Sequence, residues 1–130
     1  MTLLLLDTHA YVWALTDPDR LSGRARTAIE VPSNVVLVSA ATAWEMAIKY
    51  RAGRWPEAEI LLAQHEDLTS RLGAQSLDIC AADAICAGSL DWDHADPFDR
   101  MLAAQSLLHQ AALVTRDAAF GDLRGLTIIW

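Results

Sequence analysis

The hydrophobic pattern opens with an unbroken apolar run, Thr2 to Leu6, that stops at Asp7. A short run without alternation suits a strand buried on both faces, as in a parallel sheet. Asp7 to Thr16 then reads as a helix with Asp7 near its N-cap, ended by Asp17-Pro18. Leu21 to Val31 reads as a second helix, capped by Ser22 and followed by Pro32. Asn34 to Val38 is apolar and β-branched, a second buried strand. Ser39 follows it, and Ala40 to Arg51 is a run of helix formers ending before Gly53. Pro56 to Leu72 predicts a helical stretch, with an interruption near Thr69-Ser70 and a stop at Gly73. Gln75 to Ile79 is a short strand and Ala81 to Gly88 a short helix. Asp96-Pro97-Phe98-Asp99 opens a long helix: Asp96 can cap, Pro97 suits the first helical position, and Asp99 the third. Ala111 to Thr115 and Thr127 to Trp130 are the last strands. Strands alternating with helices predict an α/β domain with a mostly parallel sheet.

Length fits one domain spanning residues 1–130, with 53% hydrophobic side chains to fill one core. No apolar stretch approaches the ~20 residues of a membrane span. The apolar opening has no basic segment before it, so it is not read as a signal peptide, and a cytoplasmic protein is expected. Cys80 and Cys86 are too few for a disulfide scaffold and are read as small buried hydrophobes in a reducing compartment. Most of the five tryptophans, at 13, 44, 55, 92 and 130, are assigned to the core, with some free to anchor an interface. Ten Lys+Arg against 17 Asp+Glu leave a net charge of −7, which argues against holding nucleic acid by bulk charge. It does not argue against acids gathered around divalent cations.

Ligands of open α/β sheets bind beyond the carboxyl ends of the strands. Asp7 and Asp117 follow two of the expected strands, Glu45 lies in the helix after Ser39, and Asp96 and Asp99 open the late helix. These carboxylates can share one rim. Close anions raise each other's pKa or require a counter-charge, and a hard divalent cation, Mg²⁺ or Mn²⁺, supplies one through oxygen ligands. Such a cation polarises a phosphodiester and activates water, the logic of a metal-dependent nuclease. Each acid also has a local structural role open to it: Asp7, Asp96 and Asp117 as caps, Asp99 at the helix dipole, and Glu45 paired with Lys49 four residues on. His94, two residues before Asp96, reads as structural, as solvated or as a phosphate contact. No P-loop, Gly-x-Gly-x-x-Gly or Gly-x-Ser-x-Gly element is present.

Four blocks together resemble PIN-domain ribonucleases, most closely the VapC-like toxins of bacterial toxin–antitoxin pairs. They are Leu3-Leu-Leu-Leu-Asp-Thr-His-Ala10, Ser39-Ala-Ala-Thr-Ala-Trp-Glu-Met-Ala-Ile-Lys49, His94-Ala-Asp-Pro-Phe-Asp-Arg-Met-Leu-Ala-Ala-Gln105 and Leu113-Val-Thr-Arg-Asp-Ala-Ala-Phe120. The resemblance implies a three-layer α/β/α domain with a five-stranded, mostly parallel sheet, and a Mg²⁺ or Mn²⁺ site that hydrolyses RNA. Asp7, Glu45, Asp99 and Asp117 match the four family acids. Asp7 and Asp99 would hold the principal metal, and Glu45 and Asp117 would complete the cluster. Thr8 and Ser39 match polar positions near the metal, and Asp96 is an additional acid, a cap first. Arg100 and Arg116 adjoin site acids and are candidates to hold phosphates, as are Lys49 and Arg51. The resemblance also implies an RNA substrate, a cognate antitoxin and a homodimer. Two alternatives stand beside it. One is a catalytically silent PIN-like module that binds a partner. The other is a receiver-like phosphoacceptor domain, which would want paired acids after the first strand and a Lys after the last.

Overall fold

Strand β1 (Leu3–Leu6) lies at the centre of the sheet, and the computed structural model describes all 130 residues around it. The chain continues through α1 (Thr8–Thr16), a 3-10 turn at Pro18–Arg20, and α2 (Gly23–Glu30) to β2 (Val35–Ser39). Then come α3 (Ala40–Arg51), α4 (Ala58–Ala63), α5 (His65–Arg71) and β3 (Ala74–Leu77). The last part runs through α6 (Ala81–Ser89), α7 (Pro97–His109), β4 (Ala112–Val114), a 3-10 turn at Ala118–Asp122, and β5 (Ile128–Ile129). All four strand pairings are parallel, in the order β3-β2-β1-β4-β5.

The continuous apolar run of β1 is explained by burial on both faces. Leu4 and Leu6 join Val36, Val38, Ala112 and Val114 in a cluster with Tyr11, Val12 and Trp13 of α1, Ala25 of α2, Met46 of α3 and Leu61 of α4. Leu5, Leu37 and Leu113 face the other way, against Leu102 and Ala103 of α7 and against Phe120. Leu4, Leu5 and Leu6 are fully buried, each stabilising the fold by about 1.5–3 kcal/mol. Helices on both faces of a parallel sheet make three α/β/α layers.

Strand order decides where the site lies. From β1 the chain moves outward through β2 and β3 on one side, and later returns to place β4 and β5 on the other. The order therefore reverses between β1 and β4, and a crevice opens beyond their carboxyl ends.

Four expectations are corrected. The 56–72 helical stretch breaks at Gln64 (φ −117°, ψ 26°) and not at Thr69-Ser70. The break lets Thr69 Oγ1 and His65 Nδ1 approach the buried Tyr11 hydroxyl, at 2.9 and 3.3 Å. Cys80 is exposed at the start of α6 and Cys86 is half-buried, so neither is a buried hydrophobe. Of the five tryptophans only Trp13 is buried, and Trp44 is 54% exposed. The third strand begins at Ala74, one residue before the predicted start, and ends at Leu77.

Candidate active site

Asp7 ends β1 and caps α1. Its Oδ1 accepts from Ala10 N at 2.8 Å and its Oδ2 from Thr115 Oγ1 at 2.6 Å. The backbone N of Asp7 donates to Val114 O at 3.0 Å, so β1 and β4 stay paired up to the crevice. The carboxyl is 8% exposed, and burial pushes its pKa up; the Thr115 and Ala10 bonds pull the other way, as does His9, while the Glu45 charge adds to the rise. Losing the Thr115 donor should raise it further. Thr115→Val is expected to lift the Asp7 pKa, because it removes a hydrogen bond that favours the charged form. Carboxyl-carbon NMR titration would measure this, and an unchanged or lowered pKa would refute it.

Glu45 is buried on the inner side of α3. Its Oε1 accepts from Thr8 Oγ1 at 2.6 Å and its Oε2 from Lys49 Nζ at 2.7 Å. Thr8 Oγ1 also lies 3.3 Å from Thr42 Oγ1. The (i, i+4) pair expected from the sequence is thus real, and it is turned toward the site.

Asp96 caps α7 through one oxygen, accepting from Phe98 N at 2.8 Å and Asp99 N at 3.0 Å. That bond fixes the first turn of the helix and with it Asp99. Asp99 Oδ2 and His94 Nε2 are 2.7 Å apart. Burial drives the Asp99 pKa up to about 6; the His94 bond lowers it and the neighbouring Asp96 and Glu45 charges raise it. Asp117 caps the Ala118–Asp122 turn through Ala119 N at 2.9 Å, and its own N donates to Thr115 Oγ1 at 3.0 Å. Thr115 therefore joins the first and fourth acids.

All five carboxylates line one pocket of about 350 Å³, with Thr8, His9, Trp13, Lys49 and Arg116. As the side chains stand, no three of the chain's Asp, Glu, His and Cys groups converge closely enough to hold one ion. Each acid is instead tied to its own donor.

The PIN domain family model matches residues 4–126. The chain belongs to the PIN-domain family. Ribonuclease VapC22 of Mycobacterium tuberculosis (strain ATCC 25618 / H37Rv) is 31% identical over 118 residues, covering 90% of this chain and 88% of VapC22. Among solved structures, VapBC2 from Rickettsia felis bound to a promoter DNA fragment superposes with a TM-score of 0.72 at 18% identity, covering 98% of this chain and 97% of that one. DNA-bound VapBC from Salmonella typhimurium gives 0.71 at 21% identity, with the same 98% and 97% coverage. FitAcB from Neisseria gonorrhoeae gives 0.54 at 18% identity, covering 96% and 95%. At those identities the structures speak for the fold, and the fold is PIN. Within the family the chain is VapC-like.

Ser39, matched to a polar family position, and the phosphate candidates Arg100 and Arg51 lie outside the pocket. Ser39 ends β2 and is 1% exposed, but its Oγ accepts from Ala41 N at 3.0 Å and caps α3. Arg100 is the clearer correction. It does not face the carboxylates; its guanidinium donates to four backbone carbonyls, of Ala87, Leu90, Trp92 and His94, at 2.7–3.0 Å. Successive helical residues point about 100° apart, so Asp99 can face the pocket while Arg100 faces the 87–94 segment. Arg116 does line the pocket, with its guanidinium carbon 4.8 Å from the Trp13 ring centre. Arg51 is exposed beside Ile48 and Ala52, away from the acids.

Sequence reasoning missed Thr115 and undervalued His94. Thr115 carries one signal, a polar residue closing an apolar strand next to Asp117. Its partner Asp7 is 108 positions away, which local patterning does not reach.

Proposed function

We propose that the chain is a metal-dependent endoribonuclease, the toxin of a toxin–antitoxin pair, acting as one PIN domain over residues 1–130. The observation that carries this is the meeting of Asp7, Glu45, Asp99 and Asp117 in one pocket of a VapC-like fold. The donor set fits a hard divalent cation: every acid offers oxygen, and burial, which raises the pKa values of Asp7 and Asp99, leaves their charged forms in want of a counter-charge. Asp7 and Asp99 would hold Mg²⁺ or Mn²⁺, with Glu45 and Asp117 completing the set. When bound, the cation supplies Lewis-acid polarisation of the phosphodiester and lowers the pKa of water. Thr115 and Thr8 hold the Asp7 and Glu45 carboxylates in fixed orientations. Arg116 stands where it can hold a phosphate oxygen. Lys49 offsets the charge of Glu45 and is positioned to follow the carboxylate as it turns.

The relatives support the toxin part of the reading. VapC22 bears the name ribonuclease, and two of the structural neighbours are VapBC complexes on DNA, which supports an antitoxin partner. Trp44 and Ile48, 54% and 41% exposed on α3, give a homodimer an apolar face to use. The reading places the protein with RNA in the cytoplasm; no helix is long and apolar enough to cross a membrane. The receiver-like alternative does not survive the family match, and its Lys is absent from the last strand, since the only Lys sits on α3.

The test is cleavage of total cellular RNA by antitoxin-free protein, with Mg²⁺, with Mn²⁺ and with chelator, beside Asp7→Asn. Cleavage should need metal and be lost in the variant. With metal held below saturation it should also fall, by up to about tenfold per pH unit, as pH drops below 6, because protons compete with the cation for Asp99, whose metal-free pKa is about 6. Intact RNA with folded, metal-loaded protein would favour the silent binding module. Cleavage that survives Asp7→Asn would mean another site or a contaminant.

A further inference from the structure

Beside the acidic pocket runs a groove of about 570 Å³ between α1, the turn after it and the start of α4. The groove and the pocket share His9, Trp13 and Arg116. We propose that this groove holds the single-stranded RNA next to the cleaved phosphodiester, with Arg20 and Arg116 on phosphates and Trp55 as a stacking face for a base.

The charge distribution points there. A chain of net charge −7 cannot hold RNA by its overall field, so a strand must be gripped where cations gather. Of ten Lys+Arg, four border this region: Arg20 and Arg116 in the groove, and Lys49 and Arg54 in a recess that continues past Trp55. Lys49 pairs with Glu45, but Arg20, Arg54 and Arg116 form no ion pair. Elsewhere Arg26 is held by Asp19 and Glu30, Arg71 by Asp67, and Arg100 by backbone carbonyls. Arg24, Arg51 and Arg124 are also unpaired, so what sets the groove apart is that its cations gather beside the acidic pocket.

The aromatics divide the work. Trp13 is buried, and the guanidinium carbons of Arg20 and Arg116 each lie 4.8 Å from its ring centre. Cation–π contact holds two flat, bidentate phosphate ligands in place before a strand arrives. Trp55 is only half-buried and stacks on exposed His9 at 6.0 Å and 23°. An aromatic face beside ordered cations is how sequence-tolerant single-strand binding is built, whereas a duplex offers no free base to stack. An apolar peptide would find few matches, since Val12 and Leu61 are the only aliphatic contacts and the groove carries Asp17 and Glu57 beside its two arginines.

This inference rests on the ribonuclease reading, so its test separates binding from cleavage. Full-length, antitoxin-free protein in chelator and low salt is titrated with a fluorescein-labelled 12-nucleotide random-sequence single-stranded RNA and with a 12-base-pair RNA duplex. Trp55→Leu keeps apolar volume and removes the stacking face, and Trp55→Phe restores one. Arg20→Gln with Arg116→Gln is compared with Arg24→Gln and Arg124→Gln, two exposed arginines outside the groove. Trp55→Leu should weaken single-strand binding about tenfold or more, with Trp55→Phe recovering most of it. The groove pair should weaken binding and flatten its salt slope by about 1–2, and the control pair should do neither. The single strand should bind better than the duplex. Equal losses in both arginine pairs, or Trp55→Leu binding as wild type, would overturn the proposal. So would groove variants that lose the cognate antitoxin and keep RNA, which would make the groove a protein-docking site. Metal-dependent cleavage by wild type with unaltered groove variants would leave the nuclease standing and remove the groove; binding losses without any cleavage would do the reverse.

Discussion

Asp99→Asn is expected to raise the melting temperature at pH 7.5 while reducing RNA cleavage at least about 100-fold. The carboxyl titrates near 3.8 when exposed and near 6 when folded, with burial as the main cause. The folded state therefore prefers the protonated form. Stability from this group is complete below about pH 4 and is lost as pH rises through 6. Two units correspond to at most about 3 kcal/mol, and a side chain 22% exposed to solvent brings that to about 1–3 kcal/mol. An amide carries no such penalty, and its oxygen can still accept a bond from His94. The variant should melt about 3–10 °C higher than wild type at pH 7.5 and level with it only near pH 3, below the unfolded-state pKa of 3.8, measured in chelator. Metal added to wild type should recover the same stability by supplying the missing positive charge. A variant less stable at pH 7.5 would mean that His94 compensates the carboxylate more than burial penalises it.

The same electrostatics explain what was readable from the sequence. Whatever is decided within a few residues was legible. The Leu3–Leu6 strand, the caps at Asp7, Ser22 and Asp96, and the Glu45–Lys49 pair each need only their neighbours, and each is found. The carboxylate rim was legible one step further out, because parallel strands bring their ends to one edge and the acids follow those ends. What was not legible depends on partners far along the chain. The break at Gln64 answers to Tyr11, and the orientation of Asp7 answers to Thr115. Burial was overestimated at both Cys80, which looked apolar yet stands at an exposed helix start, and Trp44, which looked like core yet sits on the outer face of α3. Residue type gives a preference for the interior, and only tertiary packing assigns the place.

Arg100 shows how far a neighbouring residue can stand from its neighbour's task, and it carries the largest stability prediction. Arg100→Ala is expected to cost about 3–5 kcal/mol, lowering the melting temperature by about 10–20 °C. Four of its five N–H groups reach the carbonyls of Ala87, Leu90, Trp92 and His94. Removing them leaves four half-buried acceptors without their shared partner. Bonds from a charged donor are worth about 1.5–3 kcal/mol each, and a shared guanidinium makes them less than additive. Arg100→Lys keeps the charge but offers one compact ammonium to carbonyls that a planar fork had gathered, so more than half of the loss should remain. Amide hydrogen exchange should rise first across residues 87–94, ahead of the sheet. The effect then reaches the site by one route. The His94 carbonyl is one of the four acceptors, and the His94 ring is what Asp99 meets at 2.7 Å. Loosening the segment should free Asp99 and lower its metal affinity by about 10–100-fold, with Asp7 and Thr115 unaffected. A Lys variant with wild-type stability would show that charge alone holds the segment, and the geometry of the fork would then be incidental.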